Sequence, residues 1–163
     1  MGNFYTDVIV SSLYFNSTFE CRDMMMLEPG TRAAVQSIIA DAMSEHDIDL
    51  RVSETFRSQE RQQMLFAQGA TKEDGKTSAS MGVHHFGLAC DFFKMINGEA
   101  SWAGDWSFLR DLTEKHGLIS GLDWGLPNMK HTFIDPDHVQ ACTLEQQPEL
   151  YAGTWYPSST TDA

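Results

Sequence analysis

The run His84-His85-Phe86-Gly87-Leu88-Ala89-Cys90-Asp91-Phe92-Phe93 decides how this chain folds. From Gly87 to Phe93 it is apolar and dense enough for a buried strand, and it carries metal-capable side chains at His84 and Asp91. Seven residues of straight strand would hold those two roughly 23 Å apart. Donor atoms on one zinc ion lie only about 3 to 3.5 Å from each other. To share an ion the chain must bend between them, and Gly87 is the residue of the run that takes positive φ or admits a close backbone approach. A third donor from a distant, adjoining strand, His138, would complete a three-residue site with its fourth position open to water, the arrangement of catalytic rather than structural zinc. Taken singly, His84 reads equally well as a packed histidine beside a phenylalanine, and Asp91 as a turn group at the end of a strand.

Outward from this run, apolar residues at Val35, Ile38, Ile39, Ala42 and Met43 trace one face of an amphipathic helix, with Pro29-Gly30 before it and Thr31 as its N-cap. Leu50 and Val52 alternate as in a short strand, and Ser58 opens a polar helical stretch through Met64 and Leu65 that stops at Gly69. Arg57 thus stands at a strand-to-helix junction. Ala70 to Gly82 reads as a surface loop. Trp106 to His116, with Phe108, Leu109 and Leu112 on one face and Gly117 beyond, predicts a second helix. Short strands fit Leu118–Leu122, His131–Ile134 and His138–Cys142. Helices and short strands mix without a regular βαβ alternation, so the expected class is α+β. The expectation is a small antiparallel sheet with flanking helices, one domain over residues 1–150, and a flexible tail over 151–163.

Composition bounds the function. At 163 residues the chain has room for one real core. With 42% hydrophobic and 21% charged residues it matches an ordinary soluble domain, and no apolar run approaches the roughly 18 residues of a membrane span. Eleven Lys and Arg against 23 Asp and Glu give a formal charge of -12. That is the wrong sign for binding phosphate backbones, so nucleic acid is excluded as a partner. Cys21, Cys90 and Cys142 form no C-x-x-C pair and read as small buried hydrophobes. Residues 1–12 lack a basic n-region and an apolar h-region, so the product is expected to begin life in the cytoplasm.

The ordered array of Arg57-Ser58 before a Gln-rich helix, H-x-x-G-x-A-x-D at His84 to Asp91, Trp124-Gly125, and D-x-x-H-x-Q at Asp135 to Gln140 resembles the zinc peptidases of peptidoglycan. That family includes D-alanyl-D-alanine carboxypeptidases and dipeptidases, and the L-alanyl-D-glutamate endopeptidases used as phage endolysins. The resemblance runs from about Pro29 to Gln140. It implies that His84, Asp91 and His138 are zinc ligands, that Asp135 is the catalytic carboxylate, and that Arg57 holds the substrate carbonyl or its developing oxyanion. Two departures stand out: Gly82 where the family usually has Ser, and Asp137-His138 where many relatives have Pro-His. Read singly, Asp135 is an Asp-Pro turn initiator and Arg57 a solvated arginine.

The chemistry is consistent with these residue types. Zinc lowers the pKa of a bound water toward about 7 and polarises a carbonyl. A carboxylate such as Asp135 can then take the water proton and deliver it to the leaving amine. Arg57 is a permanent two-pronged donor for an oxyanion or a carboxylate. His85 is expected in packing rather than on the metal, His131 is a candidate assistant to the reaction, and Trp124 is a candidate cleft wall.

Two other classes keep some of these features: a non-catalytic zinc-fold binding protein, and a structural module with only a hydrogen-bond network. The expected partner is a peptidoglycan stem peptide, met by a monomer without membrane insertion. The Ala70–Gly82 segment carries Lys72, Glu73, Asp74 and Lys76, whose charges cancel. It offers no clear clamp for a terminal carboxylate, which favours an L-alanyl-D-glutamate endopeptidase over a D-alanyl-D-alanine carboxypeptidase. A phage endolysin acting on the wall after release fits that reading.

Overall fold

The computed structural model describes residues 2–67, 82–125 and 135–157. Glu28 precedes Pro29, whose fixed φ suits the first position of a helix. The Glu28 carboxylate accepts from the Thr31 N–H at 2.8 Å and from its hydroxyl at 3.0 Å, so α1 runs Pro29–His46. The cap therefore lies three residues before Thr31, because a glutamate folded back onto the first turn does what a threonine hydroxyl was expected to do. Val35, Ile38 and Ala42 face the core, whereas Met43 is half-exposed.

Strand β1 covers Leu50–Glu54 and α2 covers Gln59–Ala67, with the Ser58 hydroxyl accepting from the Arg61 N–H at 2.9 Å. The run that opened the sequence reading splits in two. Val83–Phe86 is a turn of 3-10 helix closed by Gly87 at φ 73°, and β2 follows over Ala89–Ile96. A Cβ on Gly87 would stand 2.7 Å from both Ile9 Cδ1 and the Met26 carbonyl oxygen, so glycine is required for packing as well as for φ. Strand β2 outruns its expected end at Phe93. It turns at Asn97 and Gly98, φ 53° and 81°, and returns as β3, Glu99–Ser101. Two successive positive φ values at Asn-Gly are what a tight hairpin demands.

Helix α3 spans Ser107–Lys115. The expected strand 118–122 shrinks to β4, Ile119–Ser120, followed by 3-10 helix over Gly121–Gly125. Strand β5 is His138–Gln140. The expected strand 131–134, the loop residues 70–81 and His131 lie outside the described residues.

All strand pairs are antiparallel, in the order β1-β2-β5-β4 with β3 hairpinned onto β2. Alternation along the strands sorts the faces. Cys90, Phe92 and Val139 point into the main core with Val35, Ile38, Leu109 and Leu112 of the two long helices. Asp91 and His138 therefore fall on the opposite face.

Helix α4, Gln147–Ala152, was not expected, because Pro148 reads as a breaker although it sits in the first turn, where proline is tolerated. Residues 151–157 lie against the body of the protein. Trp155 and Tyr156 pack on the cluster of Val83, Phe86, Leu88 and Leu150, and the Tyr156 hydroxyl donates to the Phe86 carbonyl at 2.7 Å. Among the described residues no helix is long and apolar enough to cross a membrane.

Candidate metal centre

Sheet register builds the site. Asp91 of β2 stands directly opposite His138 of β5 and, across its other edge, opposite Glu54 of β1. Glu54 reaches that row because the β1 register shifts between Val52 and Glu54, a bulge that re-aims one side chain. His84 joins from the 3-10 turn, so that donor atoms of His84, Asp91 and His138 all lie within 4.8 Å of one another. The His84 Nε2 is 3.2 Å from one Asp91 oxygen, and the His138 Nδ1 is 2.9 Å from the other.

The outer nitrogens of both rings decide what the inner ones can do. His84 Nδ1 lies 2.7 Å from the Thr55 carbonyl oxygen. A carbonyl only accepts, so Nδ1 carries the hydrogen and Nε2 of the neutral ring presents a lone pair. That Nε2 is buried and, among the described residues, has no hydrogen-bond partner, yet it faces a carboxylate oxygen. Two acceptors held face to face in a buried site call for a cation between them. On the other ring, His138 Nε2 is 2.9 Å from Gln140 Oε1, which turns Nδ1 toward Asp91. Two imidazoles and one carboxylate, with no thiolate, are a donor set suited to Zn²⁺.

Charge follows the same pattern. Burial opposes ionisation of Asp91, but His84 and His138 outweigh it and hold its carboxyl well below the usual range. Burial likewise opposes a charge on His138, while Asp91 and Asp135 raise its pKa to about 9.

Asp135 and Asp137 sit beside Asp91, with carboxylate oxygens of the three within 4.8 Å of one another. Burial and then the Asp91 charge raise the pKa of Asp135, while burial and then the Asp135 charge raise that of Asp137 to about 9. The extra carboxylate of Asp137 turns inward, to the side of the sheet that carries Asp91 and Asp135. Gly121 makes room for this segment: its N–H···O neighbour across the chain is Asp135, whose N–H donates to the Gly121 carbonyl at 3.0 Å. A Cβ at 121 would come within 2.0 Å of the Asp135 carbonyl oxygen.

Arg57 stands at the edge of the cluster, its Nη2 3.5 Å from Asp91. Glu54 takes its Nε and Nη2 at 3.1 and 2.8 Å, and Gln62 accepts from Nη1 at 3.0 Å. Burial works against its charge, and Glu54, Asp91 and Asp135 more than restore it, raising the pKa. Glu54 also binds Arg61 through Nε. His85 points away from the cluster. Its Nε2 is 2.8 Å from the Tyr5 hydroxyl, its ring packs against Phe15 and Phe56, and burial pushes its pKa down. Trp124 falls within the 3-10 segment Gly121–Gly125.

The sequence reading had gathered His84, Asp91, His138, Asp135 and Arg57, and the fold brings all five together. It missed Glu54, Gln62 and Gln140. Glu54 had one usable signal, its place three residues before Arg57.

The VanY family profile, D-alanyl-D-alanine carboxypeptidase, matches residues 25–120, more than half of the chain. The match includes Arg57, His84 and Asp91. Among curated proteins compared by sequence, none matches. Solved structures of similar fold include the Serratia marcescens L-Ala D-Glu endopeptidase ChiX, at TM-score 0.54 and 21% identity, covering 78% of this chain and 91% of that one. The LdcB LD-carboxypeptidase gives TM-score 0.51 and 19% identity over 70% of this chain and 58% of that one. VanYB in complex with D-alanine-D-alanine gives 0.51 and 16% over 78% and 77%. At these identities the likeness is one of fold.

Proposed function

Since the chain belongs to the VanY family of D-alanyl-D-alanine carboxypeptidases and is a zinc-dependent peptidase of peptidoglycan, we propose that His84, Asp91 and His138 hold its zinc and that it cuts the stem peptide internally, between L-alanine and D-glutamate. The observation that carries the metal assignment is the buried lone pair of His84 Nε2 facing the Asp91 carboxylate at 3.2 Å. When bound, zinc supplies Lewis acidity toward the scissile carbonyl and toward water. Asp135, on the rim beside Asp91, accepts the proton of the attacking water and returns it to the leaving amine. Asp137 holds Asp135 in place through their shared hydrogen bond. Arg57, oriented by Glu54 and Gln62, turns its guanidinium to the developing oxyanion.

The choice of bond rests on the arginines. A carboxypeptidase needs a cation to hold the terminal carboxylate. Among the described residues, Arg57 and Arg61 are the arginines beside the cluster, and both are engaged by Glu54, which supports an open-ended groove. The family's carboxypeptidase description favours the second reading, release of terminal D-alanine. A pentapeptide stem ending in D-Ala-D-Ala separates them by mass spectrometry. Cleavage after L-alanine, abolished by chelation and restored by zinc, is the expected result. Free D-alanine with the L-Ala-D-Glu bond intact would reverse the choice of bond. In the endopeptidase reading the protein serves as a phage endolysin that meets the wall after release. Added protein should then lyse cells whose peptidoglycan has been exposed by permeabilisation.

A further inference from the structure

We propose that Gln140 is a positioning residue that decides which nitrogen of His138 is presented to the metal; the proposal rests on the reading of His138 as a ligand. Gln140 lies two residues after His138 on β5, so both side chains share one face of the sheet. The strand is internal: Gln140 is paired with Ala89 of β2 on one side and Ile119 of β4 on the other. The side chain is 1% exposed, and its amide has a fixed direction. Nε2 donates to the Cys142 carbonyl at 2.7 Å. Turning the amide over would set Oε1 against that carbonyl, two buried acceptors in contact. Oε1 therefore faces His138 Nε2 at 2.9 Å, and it can only accept.

The consequence falls on the one proton that the imidazole keeps when a metal takes its other nitrogen. Asp91 Oδ1, 2.9 Å from Nδ1, draws that proton to Nδ1, where it would block the donor that faces the cluster. Gln140 draws it to Nε2, where it is out of the way. Asp91 is the stronger acceptor by charge, so removing the Gln140 oxygen shifts the proton toward Nδ1 and makes the metal displace it. Outer acceptors of this kind carry about 10- to 100-fold in metal affinity.

The test uses the purified full chain. Zinc affinity is measured by competition with a chromophoric chelator for the natural protein, Gln140→Leu and Gln140→Glu. Gln140→Leu should bind about 10- to 100-fold more weakly, while Gln140→Glu, which still accepts from Nε2, should stay within about threefold of the natural protein, short of that range. Equal affinity of Gln140→Leu and the natural protein would overturn the proposal, as would equal weakening in both variants. Long-range ¹H–¹⁵N spectra of the natural zinc-loaded protein need no variant. The expected pattern is a protonated Nε2 and an unprotonated Nδ1 at His138, and the reverse pattern would sink the idea. Failure of the natural protein to bind zinc at all would instead remove the ligand assignment on which the proposal stands.

Discussion

Replacing Glu54 by Gln should lower stability sharply although the shape of the side chain is kept. Glu54 is 5% exposed and serves two guanidinium groups that are themselves 15% and 12% exposed. Its oxygens accept from Arg57 Nε and Nη2 at 3.1 and 2.8 Å and from Arg61 Nε. Removing one partner of a buried ion pair costs about 3–5 kcal/mol, and the glutamine oxygen retains part of the bonding, so about 2–3 kcal/mol is expected. One effect opposes this. Glu54 stands opposite Asp91 across the sheet, and directly opposed like charges cost up to about 1 kcal/mol. Arg57 already contacts both carboxylates, so most of that repulsion is screened and the loss prevails. At about 2–4 °C per kcal/mol for a chain of this size, the melting temperature should fall by roughly 4–12 °C. Calorimetry of the zinc-free protein measures it without interference from metal binding. A melting temperature within about 1 °C of the natural protein, below the shift expected from even 1 kcal/mol, would refute the reasoning.

The other predictions concern chemistry at the cluster. Asp135→Ala should keep one zinc per chain while turnover falls by about 10²-fold or more, and His138→Ala should lose the metal; elemental analysis beside a stem-peptide assay distinguishes the two. Gly121→Ala places a methyl group 2.0 Å from the Asp135 carbonyl oxygen, which forces the Asp135 segment to move by about 1 Å, and a misplacement of that size costs roughly 10²-fold in rate. Because the same carbonyl accepts the His138 N–H, zinc should also bind more weakly, so turnover is compared at saturating zinc; wild-type turnover there would show that the position of Asp135 does not matter.

What could be read from the sequence depended on the range of the signal. The apolar stripe of α1, the buried face of α3 and the positive φ of Gly87 are local matters, legible from the residues themselves. The grouping of the candidate donors was legible because His, Asp and Gly at those spacings restrict what the backbone can do. The β2–β3 hairpin was also in plain view, since Asn97-Gly98 is the strongest short signal for a tight turn, yet the polar Lys94 and the short β3 hid the strands around it. Other features had no local signal. The β1 bulge that carries Glu54 to Asp91, and the antiparallel register that sets Asp91 opposite His138, exist only once the strands have paired. Gln140 belonged to a visible motif, but its role depends on the Cys142 carbonyl beyond it.

The row Glu54–Asp91–His138 across three strands also explains why this sheet can tolerate so polar a face. Glu54 and Asp91 are opposed anions, a destabilising arrangement in a simple sheet. Arg57 lies between them and neutralises one side. On the other side Asp91 faces the two imidazoles, whose outer nitrogens lie against the Thr55 carbonyl and the Gln140 amide oxygen. Asp91 thus carries one charge between a fixed cation and a place prepared for a second. A metal entering that place joins strands β2 and β5 to the 3-10 turn before Gly87, so binding the ion and stabilising the fold become one event. The same connection fixes Asp135 relative to the ion, because the Asp135 carbonyl accepts the His138 N–H at 3.2 Å. The proposed general base and the proposed third ligand therefore belong to one short turn, and chemistry that requires both is positioned by a single piece of backbone.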